Sequence, residues 1–479
     1  MSTRTDPQRV AACAATLAVL LSACAEVQPT ARYAQVQNAV GARLEQNLFW
    51  NRDSDEDQRA REAVHRLLDQ ELTAQRAVQI ALLNNRNLQA KLERLGIAQA
   101  DLIDAGLLEN PVLGLTLYSG NAGTIVEASL VQDFVGVISL SARKKVGQAQ
   151  AERVTLEVSH AVLDLASQVQ VQYYSVVGDA QALELARQVV SATEAAAMLA
   201  KRQYDAGNMS RRDQTVQQAF YAQTLLDTAQ AEARLAADRE RLNRLLGLWG
   251  TDTLWKMPTR LERVPDTLPT LEQTEGAAVS QRLDLAAAKK EAEAGLQALN
   301  LTRQLRYLQP FGIGVAYKRE PDLGAFVGPT IELGLPIFDR RQAALARAEA
   351  EYRHAQDQVT AMSVEIRSEA RAARDRVTAA HDAVRHYENV LLPLQQTIVG
   401  ETLKLYNGML VGTYDLLLAR QAQMQTAQQY VASVKEFWLA WTELERALGG
   451  KVPLIASAEA PQSPADSPES QPHHHGDKP

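Results

Sequence analysis

The sequence predicts a mainly α protein with a small β part, in which one unit of helix, β-hairpin and long helical hairpin occurs twice. Three observations carry this. The stretch KLYNGMLVGTYD repeats the pattern of QYDAGNMSRRD: Tyr406 stands nine residues before Asp415, as Tyr204 stands nine before Asp213. Prolines are absent between Pro111 and Pro258, and only Pro393 lies between Pro336 and Pro453. Twice, the apolar period switches from near 3.6 to 2 and back, which marks paired strands set between helices.

From the start of the chain, Arg4 and Arg9 precede the apolar run Val10–Leu21, too short to span a bilayer and suited to a signal-peptide core of residues 1–23. The run ends in Leu21-Ser22-Ala23-Cys24, which resembles the lipobox of bacterial lipoproteins. That resemblance implies a lipid on Cys24, and Ala25, not being Asp, implies transfer to the outer membrane. Cys13 leaves with the signal, so no internal disulfide is expected. Residues 24–68 read as an extended, lipid-anchored segment.

The first repeat spans 69–250. Leu82, Leu88, Leu92, Leu95 and Leu102 follow helical spacing until Asn110-Pro111 stops them. Leu113, Leu115 and Leu117 then alternate with Gly114, Thr116 and Tyr118. A Gly/Asn turn joins this strand to a second, which completes a hairpin over 112–132. A helical hairpin over 139–246 follows. Its first arm has the seam Val158, Val162, Leu165, Val169, Val176, Leu183 and Val190, softened by Gln172 and Asp179. Gly207 and Asn208 are expected to break the chain at the turn.

A Pro-containing link, 251–276, leads to the second repeat, 277–450. A helix to Leu308 stops at Gln309-Pro310. A hairpin over 311–335 alternates Phe311, Ile313, Val315 and Tyr317 with small or polar residues, and a helical hairpin over 339–448 follows, kinked by Pro393 and turned by Gly408 and Gly412. Trp438 and Trp441 read as packing residues on its last arm. The tail, 451–479, is Pro/Ser-rich and reads as disordered.

Four strands with one apolar face cannot close a barrel, and an open edge in lipid leaves backbone groups unpaired at several kcal/mol each. Lipid-embedded barrels need about eight strands or more; three copies supply twelve. The alanine-rich helices likewise suit side-by-side closure with neighbours. The bottom-up reading is a homotrimer.

Signal and lipobox, duplicated order, the entry Pro336-Ile337-Phe338-Asp339 and the two Tyr…Asp turns together resemble the TolC-like outer-membrane efflux duct family. The resemblance covers about Asp69 to Leu448. It implies a trimeric, twelve-stranded β-barrel in the outer membrane, a periplasmic α-barrel, and a tip that opens when a periplasmic adaptor and an inner-membrane pump dock. The tip turns at Gly207, Asn208, Gly408 and Gly412 are then candidate adaptor contacts. Asp415, Asp213, Tyr406 and Tyr204 are candidate constriction residues. Three Asp415 carboxylates about a threefold axis would favour cations, although the second acid of the family's ring is Leu418 here. Each Asp also fits an ordinary helix-start acid, each Tyr a packing residue, and Arg211 and Arg212 a solvated turn. Met409 stands where the family usually has Gly, implying a differently shaped second turn. Glu127 and Glu332, on polar strand faces, are expected to line the lumen.

Composition excludes several classes. Net charge is −7 with no basic cluster along the sequence, against nucleic-acid binding. No P-loop, Gly-x-Ser-x-Gly or metal-ligand spacing occurs, so an enzyme and a cofactor are not expected. His381 and His386 are poorly placed on a common face; His473, His474 and His475 could hold a transition metal weakly. With the Tyr-Asn-Gly-Met tip, they favour a heavy-metal efflux branch over a duct for organic toxicants. The competing reading is a lipid-anchored coiled-coil scaffold without a pore, which has no use for membrane-length hairpins.

Overall fold

A computed structural model of the protein describes residues 30–52, 55–121, 123–307 and 311–451. Cys24 and the signal segment, Pro310, and the tail with His473, His474 and His475 lie outside the described residues.

The segment expected to be extended is instead largely helical: α1 is Thr30–Leu44 and α2 Asp55–Leu68. Arg32, Val36 and Val40 fall four residues apart and are buried as one stripe of α1. Asp55, Glu56 and Asp57 occupy the first turn of α2, where the helix dipole favours acids.

The helix expected from Asp69 to Asn110 is broken into α3, Ala74–Asn84, and α4, Arg86–Ala105. Asn85 at the break is extended (φ −69°, ψ 113°), and its side chain accepts a hydrogen bond from Leu88 N, capping α4. The second repeat breaks at the equivalent place. Helices α7, Thr274–Gln281, and α8, Leu283–Gln304, meet at an extended Arg282 (φ −67°, ψ 124°).

Strands β1 (Val112–Gly120) and β2 (Gly123–Asp133) pair as expected, as do β3 (Phe311–Glu320) and β4 (Gly324–Leu333). The two hairpins join through β2 and β3 into one antiparallel sheet of order β1-β2-β3-β4. From β2 the chain passes directly into α5, Phe134–Asp205, 72 residues or about 108 Å at 1.5 Å per residue. Asp133 starts this helix early, its carboxylate accepting from Val135 N and Gly136 N. Helix α6, Arg211–Leu246, returns along it. In the second repeat the outgoing arm is α9, Gln342–His386, then a π-helical turn at Tyr387–Leu391, then α10, Leu392–Asn407. The π turn lies just before Pro393, so the lost N–H is absorbed by a wider turn rather than a sharp bend. Helix α11, Thr413–Leu448, returns.

Helices α6 and α11 are each 36 residues long and end alike. Gly247 and Gly449 both adopt the left-handed conformation, and the next amide bonds back to Asn243 O or Glu445 O. Each glycine packs on the break of its own repeat, Gly247 against Asn84 and Gly449 against Arg282.

Two cores result, one around Leu92, Leu95, Val162, Val169 and Leu246, the other around Ile366, Val377, Phe437 and Leu444. Trp438 touches both. Its ring stacks on Tyr174 (centroids 5.2 Å, 15° between planes), and its Nε1 donates to Glu262 O at 3.0 Å. Nearby, Lys435 Nζ on α11 reaches the buried Asp179 on α5 at 2.5 Å. Asp238 on α6 lies beside it, and burial pushes the Asp179 carboxyl up. Gly178 leaves room for the Lys435 stem, which a Cβ there would meet at 2.7 Å. Removing one partner of such a buried pair typically costs about 3–5 kcal/mol. Lys435→Met is expected to lower thermal stability by about that much at neutral pH. Protonation of Asp179 relieves the stranded charge, so the deficit should shrink as pH falls, as measured by unfolding at neutral and acid pH.

Candidate functional site

Two features stand out, at opposite ends of the long helices. The first is the sheet. Its registers place Leu113 opposite Leu130, Leu130 opposite Val315, and Val315 opposite Pro329. Directly opposed residues share a face. Leu115, Ala128, Tyr317 and Val327 therefore form the next row, and Ile313 with Ile331 and Phe311 with Leu333 extend it. One face is apolar across all four strands and open: Leu113 is 72% exposed and Val327 73%.

The opposite face carries Thr116, Glu127, Ser129, Lys318, Thr330 and Glu332 together with Gly114, Gly314 and Gly328, and is broken by Val112, Val131 and Phe326. Here Lys318 Nζ lies 3.1 Å from Glu127 and 3.0 Å from Glu320. Glu127 and Glu332 are thus on the polar face as expected, Glu127 already paired across β2 and β3. Among the described residues β1 and β4 have no further neighbours, so both sheet edges are open.

The second feature is the pair of turns. After α5, Gly207 takes φ +76°, Gly207 N donates to Tyr204 O, and Asn208 N donates to Gln203 O. After α10, Met409 N donates to Tyr406 O and Leu410 N to Leu405 O, the same two bonds. The expectation of a differently shaped second turn is therefore corrected. Gly408 (φ −81°) and Gly412 (φ −82°) do not supply the left-handed residue either. Met409 does, at φ +59°, three residues after its Tyr just as Gly207 is, and with 94% of its surface exposed. The Tyr-x-x-Gly and Tyr-x-x-Met alignment held that signal.

Both acids sit in the first turn of the helix that follows: Ser210 caps α6 and Asp213 holds its hydroxyl, whereas Asp415 itself accepts the Gly412 amide. Asp213 receives Ser210 Oγ at 2.7 Å, and its amide donates to that same Oγ at 3.1 Å. Asp415 Oδ2 receives Gly412 N at 3.0 Å. Asp415 and Leu418 are exposed, Tyr406 is half-buried and Tyr204 exposed. Arg211 and Arg212 are exposed in the first turn of α6. The two turns touch, Gln203 Nε2 donating to Thr413 Oγ1 at 3.0 Å, a link that the spacing argument missed because it joins residues 210 apart.

No metal-holding group of three or more His, Cys, Asp or Glu occurs among the described residues. A ring nitrogen of His381 lies 3.0 Å from Pro265 O, and the ring packs by Phe437, a structural role. Among the described helices none is long and apolar enough to cross a membrane.

No protein-family model matches the chain. It is 25% identical over 390 residues to the cobalt-zinc-cadmium resistance protein CzcC of Cupriavidus metallidurans, covering 79% of this chain and 90% of that protein. Among solved structures it superimposes on the CusC transmembrane channel with a TM-score of 0.65 at 17% identity, covering 79% of this chain and 92% of that one. The CmeC outer membrane channel of Campylobacter jejuni gives 0.63 at 14% identity, covering 79% and 85%.

An L-residue held left-handed costs roughly 1–2 kcal/mol where glycine does not. Met409→Gly is expected to stabilise by about 1 kcal/mol and Gly207→Ala to destabilise by about as much, read as opposite shifts in unfolding midpoint. With its duplicated helical hairpins and amphipathic four-stranded sheet, the chain has the fold of the TolC-like outer-membrane channels.

Proposed function

We propose that the chain is one third of a passive exit duct in the bacterial outer membrane, through which substrates leave the periplasm. The observation that carries this reading is the sheet, predominantly apolar and exposed on one face, mostly polar or small on the other, and unpaired at both edges among the described residues. Its strands of 9, 11, 10 and 10 residues match the 9–11 that a tilted strand needs to cross a bilayer. In lipid an open edge is untenable, and three copies joined β4 to β1 make a closed barrel of twelve strands. The apolar face then meets lipid and the Glu127–Lys318 face lines water, while the helical hairpins of three copies form the periplasmic tube. A scaffold without a pore leaves the apolar face unexplained.

Within this reading Cys24 carries the lipid anchor. The tip turns around Gly207, Asn208, Gly408 and Gly412 meet a periplasmic adaptor that links the duct to an inner-membrane pump. Asp415 and Asp213 give the mouth two rings of carboxylates, while Asp415 keeps its bond from Gly412 N and Asp213 its bond from Ser210 Oγ. Likeness to a cobalt-zinc-cadmium resistance protein makes divalent metal cations the favoured substrate, with His473, His474 and His475 a weak accessory metal site. The energy comes from the pump, and the duct itself does no chemistry.

The faces can be told apart. An Arg at mid-membrane on a lipid-facing strand position costs about 2–4 kcal/mol. Leu115→Arg is expected to abolish heat-modifiable trimers in outer-membrane fractions, while Thr116→Arg, one residue along, leaves them intact. A soluble elongated monomer after delipidation would sink the duct. In reconstituted channels Asp415→Asn is expected to lower the cation-to-anion permeability ratio; an unchanged ratio removes Asp415 from the constriction. For the substrate, deletion is expected to sensitise cells to cobalt, zinc or cadmium more than to organic toxicants, and the reverse ranking refutes the metal assignment.

A further inference from the structure

At one end of the sheet all four strands meet helical segments. Val112 begins β1 there, Asp133 ends β2, Phe311 begins β3 and Leu333 ends β4. The Phe134 and Phe311 rings, 6.2 Å apart, confirm that these crossings lie side by side. The flanking residues 106–111, 134–145, 305–307 and 334–341 hold six basic side chains, Arg143, Lys144, Lys145, Arg306, Arg340 and Arg341. They hold only two acids, Glu109 and Asp339, in a chain whose net charge is −7. The run Arg143-Lys144-Lys145, the pair Arg340-Arg341 and Arg306 lie far apart along the sequence; the fold brings their three segments to one end of the sheet as a collar.

The same collar is apolar where it adjoins the sheet. Phe338 is 92% exposed, and Tyr307, Ile337 and Ile138 are also open to solvent. The Arg306 guanidinium lies 5.3 Å from the Tyr307 ring, an arrangement that keeps a cation at the edge of an aromatic patch. Lys144, Lys145 and Arg340 are exposed. Aromatic and aliphatic groups followed by cations, in that order away from an apolar face, match the passage from acyl chains to charged headgroups.

We propose that this collar binds the headgroups of anionic phospholipids in the periplasmic leaflet and so fixes the depth of the barrel. The inference rests on the duct reading. Lysine and arginine side chains are long enough to reach phosphates from positions just below the apolar rim. The collar lies on the helical side of the sheet, which is the periplasmic side of the duct.

The test uses the full-length protein extracted into mixed micelles of phosphatidylglycerol and phosphatidylcholine, with retained lipid counted by native mass spectrometry. Phosphatidylglycerol is expected to be enriched over its share of the mixture. Each basic residue near an anionic surface contributes about fivefold. The variant Lys144→Gln/Lys145→Gln/Arg340→Gln/Arg341→Gln should therefore lower its retention at least about tenfold. The charge-keeping variant Lys144→Arg/Lys145→Arg/Arg340→Lys/Arg341→Lys should keep most of it. Equal retention of the two lipids, no loss in the Gln variant, or complete displacement by inorganic phosphate would overturn the proposal. Heat-modifiable migration separates the two readings. A normal trimer indifferent to headgroup overturns this inference alone, whereas a chain that forms no trimer in any lipid overturns the duct as well.

Discussion

The constraint on which the structure depends is the pairing of backbone amides at the margins of a sheet with one exposed apolar face. Each strand can satisfy its own side chains by alternation, but not its outermost N–H and C=O groups. Within one chain, β1 and β4 are left with half their hydrogen-bonding capacity facing outward. A globular protein would cover such margins with a helix or blunt them with charges. This chain does neither: the strand residues beside the margins are Leu113, Leu115, Val327 and Ile331, exposed and apolar. Closure by further copies answers both problems at once, because it pairs the amides and turns the apolar face outward all the way round.

The duplication extends that logic into the helices. Each repeat contributes a broken entry helix, two strands and two long arms, and the final turns of both return helices use the same left-handed glycine against the same break. The cores are nonetheless separate, and they are joined along α5: by Trp438 on Tyr174, by Lys435 on Asp179, by Leu261, which packs on both, and by the ion pairs Arg153–Glu291 and Lys290–Glu152 to α8.

Much of this was legible in the sequence. The change of period located β1, β2 and β3 to within two residues, whereas β4 begins at Gly324, several residues earlier than its alternation suggests. The Tyr204–Asp213 and Tyr406–Asp415 spacings located both turns, because a Schellman ending imposes its own residue count. Helix breaks at Asn85 and Arg282 were not legible. Neither is Gly or Pro, and Asn85 breaks its helix by a side-chain bond to Leu88 N together with a bond to Leu245 O from a distant helix. The helices over Thr30–Leu44 and Asp55–Leu68 were missed because their apolar stripes are short and are completed by distant elements, α5 for the first and α3 for the second. At the tip, position was clear but conformation was not. Gly408 and Gly412 looked like the pivots, yet the hydrogen-bond pattern puts Met409 in the strained place. The roles of Asp213 and Asp415 are the least legible of all, since a capping acid and a pore acid look alike in one chain.

The aromatic junction has a mechanical consequence. Trp438 lies 25 residues along α11 from Thr413, about 38 Å at the helical rise. Stacked and hydrogen-bonded there, it acts as a fulcrum, and the arm beyond it as a lever whose free end is tied to its neighbour by Gln203 and Thr413 alone among the bonds found at the turns. Over that length a swing of about 5° carries the end about 3 Å, which is enough to part the two side chains. A bond of that kind holds about 1 kcal/mol, so the contact between the two turns is far weaker than the aromatic and ionic junction at Trp438 and Lys435.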